Sequence, residues 1–205
     1  MKPTKQNIWL PLVLMVVFAL SRWPGVLPQN FSAAYALAFC AGVYFPGGLA
    51  WLPLGTLVAT DLGLNAFYYH APILDGRFVV KNLAFVLIIL LGRGCFHRRD
   101  KWVKLVGGGL VGALVFYLVT NVASWLVDPG YSKTLAGLIQ ALTSGLPGYP
   151  PTISFLLNTL LSGGLFTGLF AGAMKLESAL EKQEQEETEE EPEEAAQPEP
   201  EEAKA

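Results

Sequence analysis

Acidic side chains are almost missing from most of this 205-residue chain. Residues 1–175 hold only four of the 17 acidic residues but 12 basic ones, so this body has a formal charge of +8. Residues 176–205 hold the other 13 acids and two lysines, a formal charge of −11. The net charge of −3 averages two unlike regions, and it gives no reason to expect an acidic substrate or a nucleic acid as partner.

Cysteine and histidine are also scarce, with two residues of each type. Cys40 and Cys95 lie in or beside separate apolar runs without a CxxC spacing, which predicts packing residues rather than a disulfide or a metal site. No catalytic motif includes His70 or His97. The membrane topology predicted below places these two residues at opposite membrane faces. We therefore expect no enzyme activity, no bound metal and no cofactor.

Hydrophobic residues, in contrast, make up 52% of the chain and concentrate in six runs. Each run is long enough to cross a bilayer when tilt and ragged ends are allowed for. The runs cover residues 6–22, 32–46, 49–68, 78–94, 103–127 and 152–175. The sequence thus predicts an all-α integral membrane protein with six transmembrane helices, forming a domain of residues 1–176.

Basic residues orient these predicted spans. The connection Arg93–Lys104 contains five basic residues and one acid, so the positive-inside tendency places it in the cytoplasm. Six spans then put both termini in the cytoplasm, in agreement with Lys2, Lys5 and Lys175 near the two ends. We expect a multi-pass protein of the bacterial cytoplasmic (inner) membrane.

The segment from residue 177 to residue 205 consists mainly of Glu, Gln, Pro and Ala. Such a composition buries too little apolar surface to offset chain entropy, which predicts a disordered acidic tail. Residues 175–187 could first extend the last span as a helix. Two roles stay open for the tail: a solvated segment without a specific role, and a docking segment for a basic partner protein.

Asp61 is the residue that most favours a functional site, because it lies inside a predicted span. A carboxylate at bilayer depth costs at least ~2.5–3.5 kcal/mol on insertion scales and usually faces a bundle interior or a watery cavity. Asn65 and Tyr68 follow at i+4 and i+7, on the same helix face. The outer halves of other spans carry further polar and aromatic groups at this level. The candidate substrate-binding residues are Asp61, Asn65, Tyr68, Asn121, Trp125 and Asn30.

Two interpretations of these groups compete. In the first they hold the helices together, and neutralisation of Asp61 by Arg22 or Lys81 would favour this view. In the second they line an outward-facing pocket with aromatic walls and a few oriented polar groups. In that pocket Asp61 would orient a solute or pair with its charge.

Two further patterns concern packing. Small residues repeat in the fifth span and at Gly164, Gly168 and Gly172 of the sixth. This pattern predicts close helix contacts within the chain, with a face for a partner subunit as the alternative.

Between these spans, a short amphipathic helix is predicted within residues 133–146 from the spacing of Leu135, Leu138, Ile139 and Leu142. This helix could act as an interfacial foot or as a lid.

Several motifs resemble an uncharacterised bacterial family of proposed membrane transport proteins, over residues 8–172. The motifs are Asn30-Phe31-Ser32, Gly42-Val43-Tyr44-Phe45, Leu52-Pro53-Leu54, Asp61-Leu62, Thr120-Asn121 with Trp125, and Tyr131, Thr134, Gly137-Leu138 and Pro147. Asp61-Leu62 near the outer end of the third helix is also similar, more distantly, to the S components of energy-coupling-factor vitamin importers. That resemblance implies an S-component-like bundle with an outward pocket. Residues 8–20 lack the Ala-x-x-x-Ala docking face of those proteins.

The sequence therefore predicts a membrane transport protein that binds a small solute in an outward-facing pocket. The alternative is a membrane scaffold without transport activity, whose acidic tail recruits a partner protein. The expected partners are the lipid bilayer and the solute, with energising subunits or further copies of the chain left open.

Overall fold

The computed structural model describes residues 9–70, 72 and 75–194, with backbone only for residues 10 and 184–194. Its regular elements in these residues are all helical, as the sequence predicts. The described residues contain seven α-helices. A 3₁₀ turn, Gly47–Trp51, precedes the third of them, and a π turn, Asn65–Tyr69, follows it. The α-helices are α1 Trp9–Ser21, α2 Ala34–Tyr44, α3 Leu52–Leu64, α4 Gly76–Cys95, α5 Trp102–Val127, α6 Leu135–Leu142 and α7 Thr152–Glu194.

The chain divides into two compact units, residues 1–171 and residues 172–205. The first contains α1 to α6 and the first part of α7. The second contains the rest of α7, which continues to Glu194 and thus beyond the helical extension expected to residue 187. Residues 195–205 lie outside the described residues, and disorder of the acidic tail stays a prediction.

Four helical segments are long and apolar enough to cross a membrane. They are Gly47–Tyr69, Gly76–Cys95, Trp102–Val127 and Thr152–Gln183, which correspond to the last four of the six predicted spans. Their mean hydropathies of 1.2 to 1.9, combined with lengths of 20 to 32 residues, define a membrane protein with several apolar helices. The orientation of its termini stays a prediction.

The first two predicted spans are shorter helices, so the count of six spans is not confirmed. Within the described residues α1 has 13 residues and α2 has 11. At ~1.5 Å per residue these lengths are about 20 and 16 Å, against a hydrocarbon core of ~30 Å. All 11 residues of α2 are buried. The apolar run that predicted a second span thus forms a short helix enclosed by the rest of the protein, and its passage through the membrane stays a prediction.

Helices α2 and α4 cross with their backbones in contact at two glycines. A Cβ atom added to Gly42 would lie 2.2 Å from the carbonyl oxygen of Ile89. A Cβ atom added to Gly92 would lie 2.4 Å from the carbonyl oxygen of Phe39. Because both obstacles are backbone atoms, neither site can accept a side chain unless the helices separate.

Aromatic side chains fill the space between α2, α4 and α5. The Tyr35 ring stacks on Phe85 with centroids 6.0 Å apart, and it lies 4.8 Å from the Phe116 ring. Phe85 and Phe116 are themselves 5.0 Å apart. Each of the three helices contributes one ring, so this cluster anchors α2 between its two neighbours.

Small residues bring α5 and α7 together, which confirms the predicted packing within the chain. A Cβ atom on Gly163 would meet the Ala113 side chain at 2.7 Å, and one on Gly109 would collide with Thr167. The indole N–H of Trp102 donates to the Gly168 carbonyl at 3.0 Å. Gly172, the last member of the predicted stripe, belongs to the second unit.

Helix α6 confirms the predicted short amphipathic helix and packs against α5. The Thr134 hydroxyl caps its start by accepting the Gly137 amide at 3.2 Å. Gly137 and Ala141 are buried, whereas Leu135 and Ile139 are exposed on the opposite face. This exposed apolar face favours the interfacial foot over a lid.

Asp100, the one acid in the basic connection between α4 and α5, organises that loop. It accepts the His97 amide at 2.9 Å and the Lys104 ammonium at 2.9 Å. The His97 amide is the larger cause and Lys104 the next, and both hold the pKa of Asp100 below its ordinary value. The turn is therefore favoured at neutral pH and loses these contacts as the pH falls through that lowered pKa.

The α2–α4 crossing makes a testable prediction about stability. Gly42→Ala should destabilise the protein by about 1–3 kcal/mol or more, because its methyl group must push apart two backbones. Gly55→Ala, in α3, is the matched control, since its Cβ meets no atom within 4 Å. Thermal unfolding in detergent micelles measures both. Equal midpoints for the two variants would contradict the close crossing.

The predicted topology can be tested with the two native thiols, because Cys40 is buried and Cys95, at the end of α4, is exposed. A membrane-impermeant maleimide should leave spheroplasts unlabelled and should modify Cys95 in inside-out vesicles. Cys95→Ser should abolish the labelling. Modification of Cys95 in intact spheroplasts would reverse the predicted orientation.

Candidate functional site

Asp61 lies on the buried face of α3. Pro53, Leu57 and Asp61 follow at four-residue intervals, and all three are buried. The Asp61 side chain is only 6% exposed. It lies eight residues before the end of the span Gly47–Tyr69, about 12 Å along the helix axis. A carboxylate at that depth requires compensating partners.

The first partner is Arg22, which directly follows the last residue of α1. Its Nη2 donates to Oδ1 of Asp61 and forms an ion pair with it. The guanidinium also lies over the Phe18 ring, 5.8 Å from the centroid. The Arg22 side chain is 19% exposed, so it spans from the buried carboxylate towards the surface.

The second partner is Lys81, in the second turn of α4. Its Nζ lies 2.5 Å from Oδ2 of Asp61, as an ion pair rather than along a hydrogen-bonding direction. Its ammonium also lies 5.9 Å from the centre of the Phe78 ring. The Lys81 side chain is 31% exposed. Two cations therefore enclose one carboxylate, and we call Arg22, Asp61 and Lys81 the ion triad.

The ion triad changes the role expected for Asp61. Both carboxylate oxygens already contact a cation, so Asp61 is not a free charge partner for a solute. This is the neutralisation that the structural interpretation requires. The triad nevertheless has a formal charge of +1, and both cations are partly exposed. Its remaining bonding capacity therefore lies with Arg22 and Lys81.

Aromatic side chains lie beside the ion triad. The Trp23 ring, next to Arg22 in the chain, meets Tyr68 edge to face at 6.0 Å, and Tyr68 meets Tyr69 in the same way at 5.0 Å. All three rings are exposed. Asp61 and Tyr68 are thus brought together, since both contact the segment that follows α1.

A π turn positions Tyr68 and Tyr69 on the end of α3. Asn65 begins this turn, and its amide N–H reaches the carbonyl oxygens of both Asp61 and Leu62. His70 ends it in the left-handed conformation, with φ at 48°. Turns of this kind are frequent at functional sites. Asn65 is therefore part of the backbone that connects Asp61 to the aromatic residues.

Three buried polar atoms on residues at or beside the triad lack a hydrogen-bond partner within the described structure, and one of them is Oδ2 of Asp61, which contacts Lys81 only as an ion pair. The other two are Nε of Arg22 and Oδ1 of Asn82, the residue after Lys81. The Asn82 amide nitrogen donates to the Phe78 carbonyl at 2.8 Å, so only its oxygen is unsatisfied. Buried polar atoms without partners cost free energy, and a ligand or a water molecule would satisfy them.

Asn121 and Trp125 belong to a second group, at the contact between α5 and α6. The Asn121 amide donates to the Tyr117 carbonyl at 2.8 Å, within its own helix. The Trp125 indole N–H donates to the Ser132 carbonyl at 2.9 Å. The Tyr117 hydroxyl donates to the Leu142 carbonyl at 2.6 Å. Tyr117 thus ties α5 to α6, Trp125 ties α5 to the segment before α6, and the Asn121 amide is used within α5.

Asn30 lies in the connection before α2, in the left-handed conformation with φ at 58°. Its carbonyl accepts the Tyr35 hydroxyl at 3.3 Å. The Ser32 hydroxyl, rather than the Asn30 side chain, accepts the Ala34 amide at the start of α2. Nearby, the Asn158 amide ties α7 to the Gln29 carbonyl at 2.9 Å.

The six predicted residues thus occupy different surroundings. Asp61 lies in α3, and Asn65 and Tyr68 lie in the π turn that follows it. Helix α3 packs against α1, α2 and α4, whereas α5, with Asn121 and Trp125, packs against α2, α4 and α6. Arg22 and Lys81 were predicted only as neutralising groups, and Trp23 and Asn82 were not predicted as site residues. The position of these four residues in the chain could have indicated them, because the end of α1 and the start of α4 reach the level of Asp61.

No metal-binding cluster occurs among the residues that the structure describes, since no three His, Cys, Asp or Glu side chains come together. The chemistry that this arrangement can perform is the binding of a ligand by charge, hydrogen bonds and aromatic contact.

Fold and hydropathy define a helical membrane protein with an ion triad at one end of its bundle. Its sequence matches a family of unknown function, DUF6580, over residues 2–186, and the chain belongs to that family. A comparison with curated proteins found no match.

The ion triad makes a prediction about stability. Asp61→Asn should leave two cations unpaired and destabilise the fold by less than the ~3–5 kcal/mol typical of a fully buried pair, because both cations are partly exposed. Arg22→Gln should lower stability by a smaller amount. In the double variant the two losses should not add, with a coupling of about 0.5–3 kcal/mol. Additive losses in detergent unfolding would show that Arg22 and Asp61 act independently.

Proposed function

We propose that this protein binds a small solute from the outer side of the bacterial inner membrane and assists its passage. The binding site in this proposal comprises the ion triad with Trp23 and Tyr68. Six passages of the chain and cytoplasmic termini belong to the same proposal. The observation that carries it is the pair of partly exposed cations held around one buried carboxylate.

The charges favour a binding role over a purely stabilising one. Removing charged groups from water costs several kcal/mol each, and well-packed apolar residues often stabilise a protein as much as a buried ion pair does. A chain that needed only helix contacts could use small or apolar residues, as α5 and α7 do. Charged residues inside spans commonly mark solute or ion pathways.

The position of the triad favours access from water. Lys81 is the sixth residue of α4, and Arg22 follows the end of α1. Exposed Trp23, Tyr68 and Tyr69 lie beside it, and Trp and Tyr concentrate at the membrane–water interface. A solute would therefore reach Arg22 and Lys81 by crossing only the interfacial layer.

Asp61 in this proposal offsets one of the two positive charges, while Arg22 and Lys81 contact the solute. Tyr68 and Trp23 form an aromatic wall, and Asn65 supports it through the π turn. Asn121, Trp125 and Asn30 stay predicted binding residues, and their present hydrogen bonds would have to be exchanged for contacts with a solute.

The scaffold is the second candidate, favoured by one observation. Helix α7 continues to Glu194 and so carries the start of the acidic segment on a helix. A partner with a basic surface would recognise such a segment by charge. Deletion of residues 178–205 separates the two functions: a scaffold loses its partner, whereas a solute-binding protein keeps its ligand.

The proposed site is tested with a solute screen on purified protein in lipid nanodiscs. At least one solute should raise the midpoint of thermal unfolding of the natural protein and of the 178–205 deletion. Lys81→Gln should lose this shift, because it removes a solute contact but leaves the Arg22–Asp61 pair.

Arg77→Gln is the matched control, with the same change of charge at an exposed position of the same helix. It should keep the shift. Equal responses of the Lys81 and Arg77 variants would place solute binding elsewhere, and the absence of any shift across the screen would count against the proposal.

A further inference from the structure

We propose that the ion triad selects an organic oxyanion, a carboxylate or phosphate group attached to a flat apolar body. This inference rests on the proposed function and specifies its substrate class. It concerns the chemistry that completes the site, and it follows from charge, hydrogen-bonding capacity and the neighbouring rings.

Charge is the first reason. Arg22 and Lys81 bring two positive charges to the single negative charge of Asp61. Helix α2, which packs against α3 and α4, contains no charged residue, so it supplies no further counter-ion. Asp75 is engaged at the start of α4, where it accepts the Phe78 amide at 2.8 Å. One bound anion would bring the two cations and the carboxylate to neutrality, which matters most where the dielectric constant is low.

Hydrogen-bonding capacity points to the same class. Arg22 has five N–H donors, and its buried Nε has no partner in the described structure. The Lys81 ammonium has three donors for its contact with Asp61 and for any further group. Both acceptor atoms of Asp61 are already in contact with cations. The two cations thus keep spare donors, and an oxyanion is the ligand group that supplies acceptors for them. The unsatisfied Oδ1 of Asn82 is an acceptor, and a water molecule or a protonated oxygen of the ligand would satisfy it.

A cation or a neutral solute fits the site less well. A cationic solute would approach a formal charge of +1 and would have to displace Arg22 or Lys81 from Asp61. A neutral solute would leave the excess charge uncompensated. The difference between matched anionic and neutral compounds should be at least about tenfold in Kd, since a charge-assisted hydrogen bond contributes more than a neutral one.

The neighbouring rings indicate the rest of the ligand. Trp23 and Tyr68 are exposed and meet edge to face beside the Arg22 end of the triad. An oxyanion held by Arg22 would place the body attached to it near these rings. Flat apolar groups pack well on such surfaces, which favours an aromatic or similarly planar body.

The experiment compares three probes with the same body and different charge: phenylacetate, phenylacetamide and phenethylamine. The protein is reconstituted in nanodiscs of phosphatidylcholine, and binding is followed by tryptophan fluorescence and thermal unfolding. Phenylacetate should bind at least about tenfold more tightly than either of the others. Lys81→Gln and Arg22→Gln should each weaken its binding by about tenfold or more, and Arg77→Gln should leave it unchanged.

Asp61→Asn should change the affinity for phenylacetate in the opposite direction. It raises the formal charge of the site from +1 to +2 and releases the donors that Asp61 occupies, so phenylacetate should bind more tightly. Loss of phenylacetate binding in a folded Asp61→Asn protein would contradict the inference. Binding of phenethylamine that depends on Asp61 would also contradict it, while leaving the proposed solute-binding function intact. Failure of all three probes would count against both.

An anionic lipid presents the same oxyanion chemistry, and a second arm separates this source. Phosphatidylglycerol is added to the nanodiscs, and its effect on unfolding and on phenylacetate binding is measured. Stabilisation that requires Lys81 and competes with phenylacetate would support the oxyanion site and assign it to a lipid head group, against the proposed free solute. Unchanged phenylacetate binding would support the free solute.

Discussion

Helices α2 and α4 cross with their backbones in contact, and this close approach determines how the other helices pack. Gly42 and Gly92 face the backbone of the opposite helix, so any side chain at either position would separate the pair. Because α2 also packs against α3 and α5, its position relative to α4 is transmitted to both. Lys81, which contacts Asp61 of α3, lies on the same helix α4.

The ion triad combines structural and functional properties. It satisfies a carboxylate that would be costly to leave alone at its depth, and it ties α1, α3 and α4 together. It also leaves one positive charge in excess and at least one buried donor without a partner. A purely structural arrangement would be expected to balance its charges, since unpaired charge within a membrane protein is expensive. The imbalance is the reason for proposing a ligand.

The sequence predicted those parts of the fold whose residue patterns lie within one short segment of the chain. The four long apolar helices, the amphipathic α6 and the small residues between α5 and α7 were all identified from patterns within single segments. The run at residues 32–46 was predicted to be a span, and it forms the buried 11-residue helix Ala34–Tyr44, which does not confirm that span. Hydropathy cannot separate these cases, because lipid and a protein interior select the same apolar side chains.

For the candidate site, the sequence identified Asp61 as the exceptional residue but could not identify its partners. Arg22 and Lys81 are separated from it by 39 and 20 positions in the chain, and no local pattern connects them. Asn121 and Trp125 were grouped with Asp61 because helical spacing predicts depth, but depth does not determine which helices are neighbours.

By itself, then, the sequence determined the helical membrane class, the separation of a basic body from an acidic tail, and the presence of a carboxylate inside a span. These properties depend on composition and on residues close together in the chain. Only the tertiary structure decided that α2 is buried, that both oxygens of Asp61 contact cations, and that Trp125 bonds to the segment before α6. Those outcomes depend on which helices pack together, and contacts between distant segments are what fix that choice.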